Sequence, residues 1–219
     1  MLVDLIIQGK DVMILGGGGE AEMKALKLLD GGARVMIVGR SFNQGIKKLE
    51  KSGRIEVVKI ERLESVDIFR VHRPYVVIIA TSDADLNYKL FEKAREYGSL
   101  ICVVDTPYLN DFNMPAIAKI GDIRIAISTG GMSPAMSGLL RKRIEELIKF
   151  EDVLQVKLQS HIRNVIKKII TNFDGRKKLV YIIMNDKKIK DFLHRNKFDE
   201  AKEYAEKIVQ MRIKKGYCA

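Results

Sequence analysis

Residues Ile14–Leu26 read ILGGGGEAEMKAL. A short apolar run enters four consecutive glycines, and a stretch with helical spacing leaves them. Glycine lets the backbone turn at positive φ and lets a ligand approach it closely. The first amides of the helix that follows have no intrahelical partners and lie at the positive end of its dipole, which suits a phosphate. Four glycines would also serve as a plain connector, so the run by itself does not choose between the two.

The flanking pattern narrows the choice. Apolar strand-like runs at Asp11–Leu15, Arg34–Val38, Ile55–Lys59, Tyr75–Ala80 and Leu100–Val104 alternate with helical stretches at Glu20–Leu29, Gln44–Ser52 and Ala84–Tyr97. Short Val/Ile runs separated by helices are the pattern of buried parallel strands with right-handed crossovers. The expected fold is α/β, a Rossmann-like doubly wound parallel sheet over residues 1–112. Within it Gly16, Gly18 and Ala21 fit G-x-G-x-x-G/A directly after the first strand, with Gly17 and Gly19 adding bare backbone and Glu20 opening the helix. That context is what a dinucleotide fingerprint requires. The acid that usually follows the second strand is replaced by Gly39-Arg40. An acid there holds the ribose of NAD, whereas an arginine can accommodate the 2′-phosphate of NADP. Arg40 therefore leaves NADP open beside NAD, and it reads equally well as a solvated loop residue.

Composition bounds the rest. The chain has 219 residues, 47% hydrophobic and 31% charged, enough for one large or two small globular domains. Met1–Gly9 lacks the pattern of a signal peptide, and no apolar run approaches the roughly 20 residues of a membrane span. Cys102 and Cys218 lie too far apart to suggest a disulfide framework or zinc site. A soluble, cytoplasmic protein with no membrane partner is expected. The net charge of +11 is uneven: residues 1–140 hold 18 Lys+Arg against 17 Asp+Glu, and residues 141–219 hold 21 against 11. A basic C-terminal third attracts an anionic partner or is a lysine-rich solvated face. No aromatic-studded basic motif points to nucleic acid, and Trp is absent.

Two stretches exceed generic Rossmann architecture. VVDTPYLNDFNMPA (103–116) puts Asp105 just beyond the fifth strand, and AISTGGMSPA (126–135) follows a strand at Arg124–Ser128 with a Gly-Gly turn and a Ser133 cap before Pro134. With GGGGEAEMK (16–24) and ATSDADLN (80–87), these pieces resemble the precorrin-2 dehydrogenase family, which includes the dehydrogenase–ferrochelatase module of siroheme synthases. The resemblance covers roughly residues 1–150. Glu20 departs from it, because the family usually carries an apolar residue there.

The resemblance implies that precorrin-2, a tetrapyrrole with eight carboxylates, loses a hydride to NAD and becomes sirohydrochlorin. Some members also insert ferrous iron. It further implies a homodimer with a dimerisation region at 113–150 and a basic helical domain at 151–219, whose lysines and arginines would suit the substrate's carboxylates. Strands within Met114–Gly130 are expected to pair across a two-fold axis. Asp105 matches the family's catalytic acid, and its other reading is an Asx turn with Thr106-Pro107. Thr81 and Ser82 fall in the cofactor-side piece. Ser128, Thr129, Gly130 and Asp111 are candidates for substrate contact, and the first two read equally well as turn formers. His72, His161 and His194 are scattered over three segments and suggest no metal ligands.

The C-terminal third reads as helices over Glu151–Asn172, Arg176–Met184, Asp186–His194 and Asp199–Ile213, with a break at Asp174-Gly175. A nucleotide-sensing module that binds NAD or ATP without turnover is the alternative function. It would have no use for the Asp105 loop or the Ser-Thr-Gly-Gly turn.

Overall fold

The computed structural model describes residues 2–63 and 68–214. The chain divides into two compact units, Met1–Met114 and Pro115–Ala219. The first is a five-stranded parallel sheet of β1 (Asp11–Leu15), β2 (Arg34–Gly39), β3 (Glu56–Lys59), β4 (Val76–Ile79) and β5 (Leu100–Val103), in the order β3-β2-β1-β4-β5. Helices α1 (Gly19–Asp30), α2 (Gln44–Lys51), α3 (Ile68–His72) and α4 (Ala84–Glu96) connect the strands. β1 and β4 are buried on both faces because apolar clusters pack on each side of the sheet. Val12 and Ile14 face one cluster with Ala21, Ala25 and Leu28 of α1, whereas Met13 and Leu15 face the other with Leu90, Phe91 and Ala94 of α4. The strand order reverses between β1 and β4, which opens a ligand crevice at their carboxyl ends.

The second unit holds a hairpin, β6 (Ala116–Ile120) and β7 (Ile123–Ile127), and helices α5 (Pro134–Leu147), α6 (Phe150–Ile169), α7 (Phe173–Asn185), α8 (Lys187–His194) and α9 (Phe198–Lys214). Leu158, Ile162, Ile166, Ile183, Ile189, Ala201 and Ala205 form the core of the bundle α6–α9. The buried apolar side chains of α6 thus line the bundle's interior.

Two expectations need correction. α3 lies between β3 and β4 where no element was expected; its five residues are too few to show a period. The helical break falls at residues 170–172: Asn172 accepts hydrogen bonds from the amides of Asp174 and Gly175, so that pair forms the first turn of α7.

Candidate active site

The glycine turn joins β1 to α1 at the reversal point. Gly16 has φ +131°, and a Cβ there would overlap the carbonyl oxygen of Ala80 after β4. A Cβ on Gly17 would overlap the carbonyl oxygen of Ser41 after β2. These two glycines are therefore demanded by the protein's own packing. Gly18 and Gly19 differ: nothing lies within 4 Å of a Cβ built on either, and Gly18 sits at an ordinary φ of −88°. No neighbouring atom requires them to be glycine, while an approaching ligand would. Gly18 is also the N-cap of α1 and supplies no side-chain acceptor, so the first-turn amides are left for solvent or an anion. Ala21 is fully buried against the sheet and meets the fingerprint's packing requirement.

The other cofactor-side residues sit at the carboxyl ends of the neighbouring strands. Gly39 is buried at the end of β2, with Arg40 exposed after it. Thr81 and Ser82 follow β4. The Thr81 hydroxyl donates to Asn87 Oδ1 at 2.5 Å, and Asn87 Nδ2 returns a bond to the Thr81 carbonyl at 3.1 Å. Asp83 caps α4 through the Leu86 amide at 3.0 Å. Thr81 thus holds the turn rigid with its hydroxyl already engaged, and Ser82 is exposed beside it. Glu20 is exposed in the first turn of α1. Its amide suits a phosphate, whereas its carboxylate would repel one. Taken together, the crevice presents bare amides, a positive dipole end and no side chain blocking Gly18 or Gly19. These residues fit a dinucleotide pyrophosphate.

Beyond β5 the carboxylates divide into two roles. Asp105 is exposed, and among the described residues its carboxylate has no hydrogen-bond or ion-pair partner, so the Asx-turn role is not realised. Asp111 does something else. Its Oδ2 accepts from the Ile101 amide at 2.9 Å, and its own amide donates to the Ile101 carbonyl at 2.9 Å. Asn110 Oδ1 takes the Val103 amide at 2.6 Å. β5 is an edge strand, and these two side chains cover the amides that it turns away from β4. Asp111 therefore caps the strand edge with one of its carboxylate oxygens. Cys102 on the same strand is buried, and burial pushes its thiol pKa up, which marks a core residue and not a nucleophile.

Ser128, Thr129 and Gly130 lie in the second unit. Thr129 Oγ1 accepts from the Ser133 amide at 3.1 Å and lies 3.2 Å from Ser137 Oγ. Ser128 Oγ accepts from the Gly130 amide at 3.2 Å. Gly130 and Gly131 both have positive φ, +62° and +85°. The turn is held by its own hydroxyls, and Ser133 caps α5 through the Met136 amide at 3.2 Å. His161 pairs with Glu206 and His194 with Glu151, each at 2.6 Å. Among the described residues no three His, Cys, Asp or Glu side chains converge.

Residues 3–116 match the family model described as putative NAD(P)-binding, and residues 121–147 match the one described as sirohaem biosynthesis protein central. A precorrin-2 dehydrogenase from Methanosarcina barkeri is 34% identical over 188 residues, 84% of this chain and 83% of that one. The chain belongs to the precorrin-2 dehydrogenase family. A siroheme synthase from Nitrosococcus oceani is 28% identical over 97% of this chain but only 44% of its own length, so the chain spans less than half of that relative. The solved structure of the precorrin-2 dehydrogenase SirC shares the fold, with a TM-score of 0.71 at 20% identity over 94% of this chain and 99% of that one. The recognised sequence pieces thus coincide with both matched segments of this family. Glu22 and Asn43, which brace the glycine turn, escaped the sequence reading; Asn43 immediately before a helical stretch was the available cap signal.

Proposed function

We propose that this protein is an NAD(P)-dependent precorrin-2 dehydrogenase of siroheme biosynthesis, working in the cytoplasm as a homodimer. One observation carries the reading. In a chain related over most of its length to a precorrin-2 dehydrogenase, the crevice turn leaves Gly18 and Gly19 facing open space that only a ligand would need.

Gly18, Gly19 and the first amides of α1 hold the cofactor pyrophosphate, with Gly39 and Arg40 on the ribose side. Bound there, the nicotinamide supplies the hydride acceptor. Oxidation of precorrin-2 to sirohydrochlorin removes a hydride and a proton, and Asp105 takes the proton on its unpartnered carboxylate. Its place at the carboxyl end of β5, on the ligand side of the sheet, supports that role. The Thr81–Asn87 bonds keep the β4–α4 turn from drifting. Substrate carboxylates meet the Ser128–Gly130 turn and basic side chains of the helical bundle. Exposed apolar residues Ile117, Met132, Met136 and Leu139 around the hairpin and α5 support a protein–protein contact there. Iron insertion, implied by the siroheme synthase relatives, is a second activity of the same substrate class.

The test is direct. Precorrin-2 generated enzymatically is mixed with the protein and NAD or NADP, and absorbance at 340 nm is followed with the macrocycle spectrum. Reduced cofactor and sirohydrochlorin should appear in equal amounts. Binding of the cofactor without turnover would replace the enzyme with a sensor.

A further inference from the structure

We propose that Glu22 is a positioning residue for the cofactor turn, acting through Asn43 to hold segment 41–43 against Gly17. The proposal rests on the cofactor reading above. Glu22 follows Ala21 on α1 and is half-buried. Its Oε2 accepts a hydrogen bond from Asn43 Nδ2 at 2.6 Å. Asn43 has two further tasks: its Oδ1 caps α2 by accepting from the Ile46 amide at 2.9 Å, and its own amide donates to the Gly17 carbonyl at 3.0 Å. A Cβ on Gly45 would overlap the Glu22 carboxylate, so the first turn of α2 is bare where that carboxylate lies. A negative charge at a helix N-terminus is also favourable.

These contacts tie two loops that must agree if a dinucleotide binds. One is the glycine turn, whose ligand-facing part at Gly18–Gly19 has no side chains with which to brace itself. The other follows β2, where an acid would ordinarily hold the ribose and Gly39-Arg40 stands instead. Without that acid, the ribose side depends on the backbone position of segment 40–43. Ser41 and Phe42 lie against Gly17 and Gly39, and Asn43 fixes the segment's far end. Glu22 is thus the side chain through which the start of α1 sets the ribose-side wall.

Four variants separate this from a plain structural brace. Glu22→Ala removes the acceptor. Gly45→Ala leaves Glu22 in place but evicts its carboxylate, and alanine suits a helix, so folding should survive. Glu22→Gln keeps an acceptor for Asn43. The double variant E22A/G45A completes a cycle. NAD and NADP dissociation constants, KM and kcat, melting temperature and amide exchange at Ile46 in the ligand-free protein are measured for each. E22A and G45A should each weaken NAD binding by ~10-fold and speed Ile46 exchange, as expected for one lost hydrogen bond to a charged group. kcat at saturation should stay within about twofold, and E22Q should recover most of the affinity. The double variant should bind no worse than either single one, because both remove the same contact.

Variants that melt lower but bind NAD like the parent would overturn the proposal, as would effects that multiply in the double variant. A parent that binds neither NAD nor NADP overturns the cofactor reading and this proposal with it. A parent that binds, with equally competent variants, overturns this proposal alone. If E22A does not fold, the contrast between E22Q and G45A decides the matter.

Discussion

The four glycines should separate under alanine substitution into two that serve the fold and two that serve a ligand. Gly17→Ala places a methyl group on the Ser41 carbonyl, and Gly16→Ala adds overlap with Ala80 at a φ of +131°. Overpacking against backbone typically costs about 1–3 kcal/mol, and the positive φ adds to it. At about 2–4 °C per kcal/mol for a chain of this size, both variants should melt several degrees lower. Gly18→Ala meets nothing within 4 Å and has a compatible φ. Alanine restricts the unfolded chain, worth about 0.4–1 kcal/mol, and is a poorer N-cap than glycine by a comparable amount. The two effects offset, so melting should hardly move. NAD affinity should nonetheless fall: a methyl group at the pyrophosphate forfeits one charge-assisted amide bond, about 1.5–3 kcal/mol or roughly 10- to 150-fold in Kd. Paired calorimetric melting and NADH fluorescence titration decide the matter. Gly18→Ala binding NADH as tightly as the parent would refute the assignment, and Gly17→Ala melting like the parent would refute the packing argument.

Asp105→Asn should lower single-turnover dehydrogenation by ~10²–10⁴-fold with melting and NAD affinity intact; a rate within about threefold of the parent would end its role as base. Asp111→Ala uncovers the Ile101 amide and should cost about 1 kcal/mol, read as a melting drop of ~2–4 °C, with turnover per folded molecule unchanged. Sedimentation at micromolar concentration should give about twice the chain's 24.9 kDa, and a clean monomer would remove the homodimer. The Arg34 guanidinium beside Asp11 holds that carboxyl below the usual range. A lowered pKa gives stability that is present above the ordinary value of ~3.9 and lost as pH falls through the folded one. Both side chains are more than half exposed and screened by solvent, so Arg34→Ala should lower stability only slightly near neutral pH, with the difference from the parent vanishing in acid.

The parallel sheet was legible because its strands are buried on both faces. Runs such as Val76–Ile79 carry no polar alternation, and helices with one apolar face separate them. Where the reading slipped, a local hydrogen bond competed with a composition rule. Asp174-Gly175 looks like a helix breaker, but the Asn172 carboxamide reaches both amides and turns the pair into a first turn, where an acid is favourable. Within Met114–Gly130, Gly121 at positive φ lets β6 and β7 close as a hairpin.

The site was legible to a different depth. A glycine motif states where backbone must be bare but not why, and only neighbours in space distinguish Gly17, crowded by Ser41, from Gly18, which faces nothing. The motif after β5 poses the same problem with polar groups. Asp105, Asn110 and Asp111 lie within seven residues and all look fit to hold a ligand. Sheet order separates them. Because β5 is the edge, the amides of Ile101 and Val103 point away from β4 and need acceptors, which Asp111 and Asn110 each supply with one side-chain oxygen. No amide makes such a demand on Asp105. It is the carboxylate of the motif left free at the ligand end of the sheet, and that leftover acceptor capacity, more than its place in a pattern, makes it the group to test as the base.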